Sequence, residues 1–431
     1  MERRAARVAV VGAGWAGLAT AVTLAEHAVP VTVFEASRHL GGRARRVVIE
    51  DIHLDNGQHI LIGAYAETLR LMRSVGADPD RLLIRTPLEL RMASGFRIRA
   101  ARLPAPFHLL VGLLRASSMG LRDRLVAARL IATHRRRGYR LLQDEAVAAW
   151  LRAHGQPPRV CRALWAPLCT AALNTPPAHA SAQIFLNVLR DTIENDRRAS
   201  DLLLPRADLG ALLPQPAAGF IASRRGTIHL GAPVKALSIT ARGLRVSGSD
   251  EDFTHVVLAC APQHVGALLR SVAGLHSLAT EIDRLEYEPI HTCYLQYPSA
   301  YSLPAPMLGF SDGLAQWAFD RGALSGHQGL IACVISGSGK HEELSSAQLA
   351  AALHAELARW VPTLPDPLWS RVIAEKRATF SCRPGLVRPG NTTPVPGLLL
   401  AGDYTASDYP ATLEAAVRSG VNAARLVLEA P

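Results

Sequence analysis

Lysine is nearly missing from this sequence. Of 47 basic residues only three are lysines, Lys235, Lys340 and Lys376; the others are arginines. Aromatic residues make up 5% of the 431. With scattered arginines, few aromatics and no recognition module, no nucleic-acid partner is expected. The six cysteines (Cys161, Cys169, Cys260, Cys293, Cys333, Cys382) form no CxxC pair and no zinc spacing. Without a secretion signal they read as reduced thiols of a cytoplasmic protein. No HExxH or paired-histidine spacing stands out, so no metal is expected, and hydrolase arrangements of Ser-His-Asp or Cys-His type find no support. No stretch of 18 apolar residues runs free of glycine or charge, so no transmembrane helix is expected.

What is present is apolar bulk and positive charge. Hydrophobic residues reach 49%, ample for one large or two medium domains, and the net charge is +11. That excess fits an arginine- and alanine-rich composition, or attraction to an anionic membrane surface or a phosphorylated substrate.

The most informative stretch is Val8 to Gly17, VAVVGAGWAG. A β-branched run breaks into Gly12, Gly14 and Gly17. A helix-like stretch follows from Leu18 to His27, then a strand-like run from Val31 to Phe34 that ends in Glu35. Gly12 suits a tight turn, Gly14 a close backbone approach to a pyrophosphate, and Gly17 close helix–strand packing. Glu35 lies 18 residues past Gly17, where a carboxylate would accept hydrogen bonds from a ribose diol. A signal peptide is the competing reading, because Arg3, Arg4 and Arg7 precede an apolar run. The glycines, Glu26, His27 and Pro30 interrupt it.

Further motifs follow in order. Ser37 to Arg45, SRHLGGRAR, bends at Gly41-Gly42-Arg43, which is read as lying against the pyrophosphate. Asp55 to His59, DNGQH, is a turn that can line a flavin face, ahead of helical periodicity at Tyr65, Leu69 and Met72. Residues 66 to about 205 read as mostly helical. Leu103 to Leu114, flanked by Arg102 and Arg115, is too short to span a bilayer; it suits either a membrane interface or a helix buried under a cavity. Arg122 to Arg140 reads as a solvated helix face or one that meets lipid headgroups. WAPLCTAALNTPP, Trp165 to Pro177, reads as a cavity wall with one polar handle, or as core packing with a helix stop. From about 205 to 265 a βα pattern returns, with a strand near Thr227, a hairpin over Ala236 to Gly248 and a buried strand at His255 to Ala259. Residues 266 to about 375 alternate strands and helices. Leu398 to Asp403, LLLAGD, is a strand ending in Gly-Asp, followed by Tyr409, Pro410 and a helix whose first turn Pro410 suits.

GAGWAGL, GGRAR and DNGQH together resemble the N-terminal FAD-binding segment of the amine oxidase and phytoene desaturase superfamily. With WAPLCTAALNTPP and LLLPRADLGALLP (Leu202 to Pro214), the chain is similar to the squalene-associated FAD-dependent desaturases of hopanoid biosynthesis, the hydroxysqualene dehydroxylases, over nearly its whole length. SRRGTIHLG (Ser223 to Gly231) departs from the family pattern in lacking a double glycine. The resemblance implies an α/β fold: a Rossmann-type, glutathione-reductase-like FAD-binding domain (1–65, 205–265 and 376–431), interleaved with a mixed sheet-plus-helix substrate domain (66–204 and 266–375) that carries possible membrane-contact helices.

It implies FAD as cofactor, held by Gly12, Ala13, Gly14, Trp15, Ala16 and Gly17, by Glu35 and Ala36, and by Gly41, Gly42 and Arg43. Asn56, Gly57, Gln58 and His59 would join them, with Val234, Ala261, Pro262, Gly402, Asp403, Pro410, Ala411, Thr412 and Leu413. The N–H groups of the last three would lie near the flavin pyrimidine edge, where the reduced ring carries negative charge. The implied reaction is reductive removal of the allylic hydroxyl of hydroxysqualene, with His59, Tyr409 and Asp55 as candidate proton donors and Trp165, Cys169, Asn174 and Trp317 facing substrate. Implied partners are the hydrophobic isoprenoid, a peripheral contact with the inner membrane face, and upstream and downstream squalene-pathway enzymes. A carotenoid-type desaturase, an amine oxidase and a flavin-stabilised membrane scaffold stay open as alternatives. An amine oxidase would want an aromatic pair before the flavin, and Tyr404, Tyr409 and Trp317 are the residues available for one.

Overall fold

The computed structural model describes residues 6–49, 52–361 and 363–430; Arg3 and Arg4 lie outside them. In chain order, β1 (Val8–Val11), α1 (Trp15–Glu26) and β2 (Val31–Glu35) precede a hairpin of β3 (Arg46–Ile49) and β4 (Ile52–Asp55). Four helices of the middle region matter for the site: α2 (Phe107–Leu114), α3 (Leu121–Arg136), α4 (Ala166–Leu173) and α5 (Ala182–Ile193). Strands β5 (Thr227–Leu230), β6 (His255–Leu258), β7 (Tyr287–Gln296), β8 (Met307–Gly309) and β9 (Trp317–Asp320) come next. Helix α6 (Arg321–Ser325), β10 (Leu330–Ser336), β11 (Trp369–Phe380), β12 (Leu398–Leu400) and α7 (Leu413–Glu429) complete the set.

Five of these strands form one parallel sheet in the order β5-β2-β1-β6-β12, with Val10 opposite both Val33 and Val257. All four residues of β1 are buried, as a strand covered on both faces requires. This is the expected Rossmann-type sheet. Its strands end on the same side, which brings Gly12, Glu35, Ala259 and Ala401 to one edge, the edge where open α/β sheets bind ligands.

Helix α1 begins at Trp15, three residues earlier than its apolar run suggested, because Gly14 serves as its N-cap. Eleven of its twelve residues are buried, and it packs between α7 and the helix Pro214–Ser223. The approach is close. A Cβ at Gly17 would lie 1.9 Å from the carbonyl oxygen of Gly12, and one at Gly420 would lie 2.1 Å from that of Ala16. The Thr20 hydroxyl then bonds across to the Gly420 carbonyl at 3.0 Å.

The second sheet is antiparallel, in the order β8-β9-β10-β7-β11, with β7 paired to β10 and β11. Besides Leu202–Pro205 at its end, three short strands interrupt the region expected to be helical: Leu83–Thr86, Glu89–Arg91 and Arg97–Arg99. The last two close a hairpin in which Arg97 and Arg99 both pair with Glu89, a cross-strand charge pattern that looks solvated in the sequence. Gly309 to Gly313, GFSDG, spells a nucleophile-elbow motif, but Ser311 sits in a bend after β8 that leads into no helix.

Gly420→Val should therefore destabilise the protein by about 3 kcal/mol through overpacking against α1. Gly219→Ala, whose new Cβ meets nothing within 4 Å, should be neutral or slightly stabilising. Denaturant titration of the two variants checks this; equal stability would contradict the close-packing account.

Candidate functional site

The site begins at the C-terminal edge of the parallel sheet. Gly12 turns with φ +109°, and Gly14 caps α1 without a side chain. No acidic residue occupies the first turn of α1. Its free N–H groups and positive dipole end are left open to an anion. A second glycine turn stacks on the first: Gly41 pairs with Gly14, and a Cβ on Gly42 would meet the Gly14 Cα at 3.2 Å. Glu35 folds back on this loop, accepting from the N–H groups of Ala13 (2.6 Å) and Ser37 (2.8 Å).

The C-terminal strand end meets the same place. Arg43, expected against a pyrophosphate, lines the cradle and donates to Asp403 at 2.5 Å and to the carbonyl of Ala378 at 2.7 Å. The nearly buried Asp403 carboxylate is a charged acceptor that captures the guanidinium. Asn56 donates to the Arg43 carbonyl (2.8 Å) and to Glu375 (3.2 Å), which ties β11 into the cluster. Helix α7 starts at Leu413, not at Pro410. Thr412 is its cap, accepting from the Ala415 N–H at 3.1 Å, and Pro410 belongs to the preceding loop.

From this cradle a cavity of about 1180 Å³ runs between the sheets and under α2 to α5. It exceeds the roughly 300–1,000 Å³ of ordinary small-molecule sites. Its cradle end is lined by Gly12, Gly14, Trp15, Ala16, Glu35, Ala36, Gly41, Gly42 and Arg43, by Asn56 to His59, and by Val234, Ala261, Gly402, Asp403 and Tyr409 to Leu413. Its far end is greasy, with Trp165, Phe185, Leu189, Trp317 and Phe319 among its walls. Leu103–Leu114 lines the cavity on one face, as one of its two readings expects, and carries exposed apolar residues on the other. Leu109, Leu110 and Leu113 line the cavity, while Phe107 and Leu110 are 56% and 40% exposed.

Five expected site residues are not on the wall. Ala13 and Gly17 are buried inside the glycine turn, and Pro262 opens a helix behind it. Cys169 is buried, its thiol turned to the carbonyl of Thr175. Asp55 is buried behind the loop, accepting from the Leu209 N–H at 2.8 Å and lying 3.4 Å from Arg321. Sequence reasoning missed Glu375, Ala378 and Thr379 of β11, which line the cavity; a solvated-looking stretch of alternating charge gave no signal for them.

Three wall residues carry a buried polar atom with no partner among the described residues: Asn174 Oδ1, Trp317 Nε1 and Tyr404 Oη. Unsatisfied atoms of this kind mark places meant to meet a polar group or water. The Asn174 amide nitrogen is committed to Thr379 Oγ1 at 2.9 Å. Among the described residues, no ring pair joins Tyr404, Tyr409 and Trp317.

Burial also sets the protonation states. His59 faces the cavity, and desolvation, with Arg43 nearby, holds its imidazole down to about 4. Near neutral pH it is an uncharged hydrogen-bonding ring, not an imidazolium acid. Burial pushes Asp55 up to about 6 against the opposing pull of Arg321. Tyr409 is held above its ordinary value by burial and by its hydrogen bond to Asp191, so it keeps its proton.

The sequence model of flavin containing amine oxidoreductases matches residues 15–428. The hydroxysqualene dehydroxylase of Rhodopseudomonas palustris is 30% identical over 442 residues, covering 98% of each chain. That of Sinorhizobium fredii is 25% identical, again covering 98% of each. The probable zeta-carotene desaturase of Synechococcus elongatus is 26% identical, covering 98% of this chain and 99% of its own. Among solved structures, cyclohexylamine oxidase from Brevibacterium oxydans shares the fold, with a TM-score of 0.74 at 18% identity over 99% of both chains.

The two perturbed groups make opposite pH predictions. His59 titrates lower in the folded state, so its contribution is present above pH 6.5 and lost as pH falls toward 4. Asp55 titrates higher in the folded state, so it favours folding as pH falls through 6 toward 3.8. Each is on the order of 3 kcal/mol. Thermal melts from pH 7 to 4.5 should give a shallower pH dependence for His59→Gln and a steeper one for Asp55→Asn than for the parent. Parallel curves would contradict both shifts.

Proposed function

The chain belongs to the flavin-containing amine oxidoreductase family, and from that premise we propose that it is an FAD enzyme that reductively removes the hydroxyl of hydroxysqualene to give squalene. The observation that carries this reading is one cavity with two characters, a glycine-lined anion cradle at one end and an apolar tunnel at the other. The relatives named hydroxysqualene dehydroxylase support it over the full length.

The residues present fit FAD. The open first turn of α1 would hold the pyrophosphate, Glu35 the adenosine ribose, and the N–H groups at the start of α7 the pyrimidine edge. When bound and reduced, FAD supplies hydride to the carbon that loses its hydroxyl, which departs with one proton as water. The chain's own part is to bind, orient and exclude water. Trp165, Phe185 and Phe319 hold the isoprenoid in an apolar channel that shields developing positive charge from solvent. Tyr409 is one of the protonated groups on the wall and is the one assigned to the departing oxygen; neutral His59 gives a hydrogen bond, and Asp55 does not reach.

We place the enzyme peripherally at the cytoplasmic membrane face, where its substrate dissolves and other squalene-pathway enzymes work, with no nucleic-acid partner. Among the described residues, no helix is long and apolar enough to cross a membrane. Phe107, Leu110, Leu121 and Leu125 are exposed on α2 and α3 beside the cavity wall. Exposed arginines Arg115, Arg122 and Arg129 flank them, the pattern of an apolar face dipping among anionic headgroups.

Two experiments test this. Anaerobic, flavin-reduced protein given hydroxysqualene should release squalene. No turnover, with loss of two hydrogens from another isoprenoid, would favour the desaturase reading that the zeta-carotene relatives suggest. In vesicle flotation the protein should rise with anionic vesicles, less with neutral ones, and Leu121→Asp/Leu125→Asp should stay in solution. Equal flotation of parent and variant would remove α3 from the membrane contact.

A further inference from the structure

We infer that Arg321 is a positioning residue that fixes the cavity loop Asn56–His59, acting through the side chain of Gln58. The inference rests on the reading that this cavity holds the flavin. Arg321 opens α6 and is 4% exposed. The adjacent Asp320 forms no ion pair with it among the described residues; that carboxylate accepts from the N–H groups of Leu303 (2.8 Å) and Ala323 (2.9 Å). The guanidinium instead reaches across the molecule. Nη1 donates to Gln58 Oε1 at 2.9 Å, and Nη2 lies 3.4 Å from Asp55 Oδ2.

Gln58 is held at both ends of its amide. Its nitrogen donates to Tyr294 Oη at 2.7 Å, and Tyr294 Oη donates to the Asp55 carbonyl at 2.9 Å. A guanidinium can only donate, so the amide has one possible orientation. The loop is thus clamped from β9–α6 and from β7, while its other side, Asn56 to His59, lines the cavity.

Stability alone does not account for this arrangement. A buried ion pair loses much of its Coulomb attraction to desolvation, and apolar groups of similar volume often serve as well. What an apolar replacement lacks is direction. A fork of fixed donors sets where Gln58 points, and Gln58 precedes His59 on the wall. Lysine, a point charge on a flexible stem, would not reproduce the fork.

The test compares Arg321→Met, Asp55→Asn, the double variant, Arg321→Lys and Tyr294→Phe by melting temperature, bound flavin, flavin visible spectrum, hydrogen exchange over residues 55–60, and steady-state kinetics. Each single change at the ion pair should lower the melting temperature, and the double variant should recover most of it. Despite that recovery, the double variant should show a shifted flavin spectrum, faster exchange over 55–60 and a kcat at least tenfold lower with KM little changed. Arg321→Lys should restore the spectrum only in part. Tyr294→Phe, a mild change expected to fold, should move spectrum and exchange in the same direction by less. A double variant with flavin, spectrum, exchange and kcat all matching the parent would overturn the positioning role alone. A parent protein that takes up no flavin would overturn the functional reading with it.

Discussion

Everything at this site depends on how closely α1 can approach its neighbours. The helix must bring its N-terminus to the sheet edge, and its backbone must run against both the preceding turn and the C-terminal helix. Hydrogen in place of a side chain at Gly17 and Gly420 makes this possible. The result is a helix apolar on every side, which is stable only when covered on every side. Helix α7 and the helix Pro214–Ser223 provide the cover, so residues from the start, middle and end of the chain are fixed together before any site exists.

The same logic extends to the edge itself. The first glycine turn and the Gly402-Asp403 strand end lie on the same sheet edge with β6 between their strands, and Arg43, on the second glycine turn, bridges that gap to Asp403. Both partners are largely buried, so breaking one would strand a charge in a poorly solvated place. Asn56 and Glu375 extend the link to β11. The cradle and the apolar tunnel are therefore two ends of one hydrogen-bonded frame, which suits a reaction in which a polar cofactor and a greasy chain must meet at fixed distance.

What could be read from the sequence was the local part. The Gly12-Gly14-Gly17 spacing, the acid at Glu35 and the strand ends at Cys260 and Asp403 each encode their conformation within a few residues, so the parallel sheet was legible. Partners distant in sequence were not. Nothing near Arg43 says that its charge pairs with Asp403, and nothing near Asp55 announces Arg321. Pro410 looked like a helix start because proline fits there, but the Thr412 hydroxyl two residues on makes the better cap. Cys169 looked like a cavity residue because its neighbours are; one position on a helix turns a side chain by about 100°, enough to move it from wall to core.

Leu103–Leu114 illustrates a different limit. Its sequence left membrane contact and cavity lining as competing readings, yet a helix is only about 10 Å across with side chains. One that roofs a cavity at the molecular surface presents one face inward and the other outward. Apolar residues on both faces then have separate causes, and composition cannot distinguish them. Leu110 belongs to both faces, lining the cavity while 40% exposed. On the proposed membrane placement, that geometry would let a poorly soluble chain pass from bilayer to active site without crossing water, since each step along such a route would exchange one apolar contact for another.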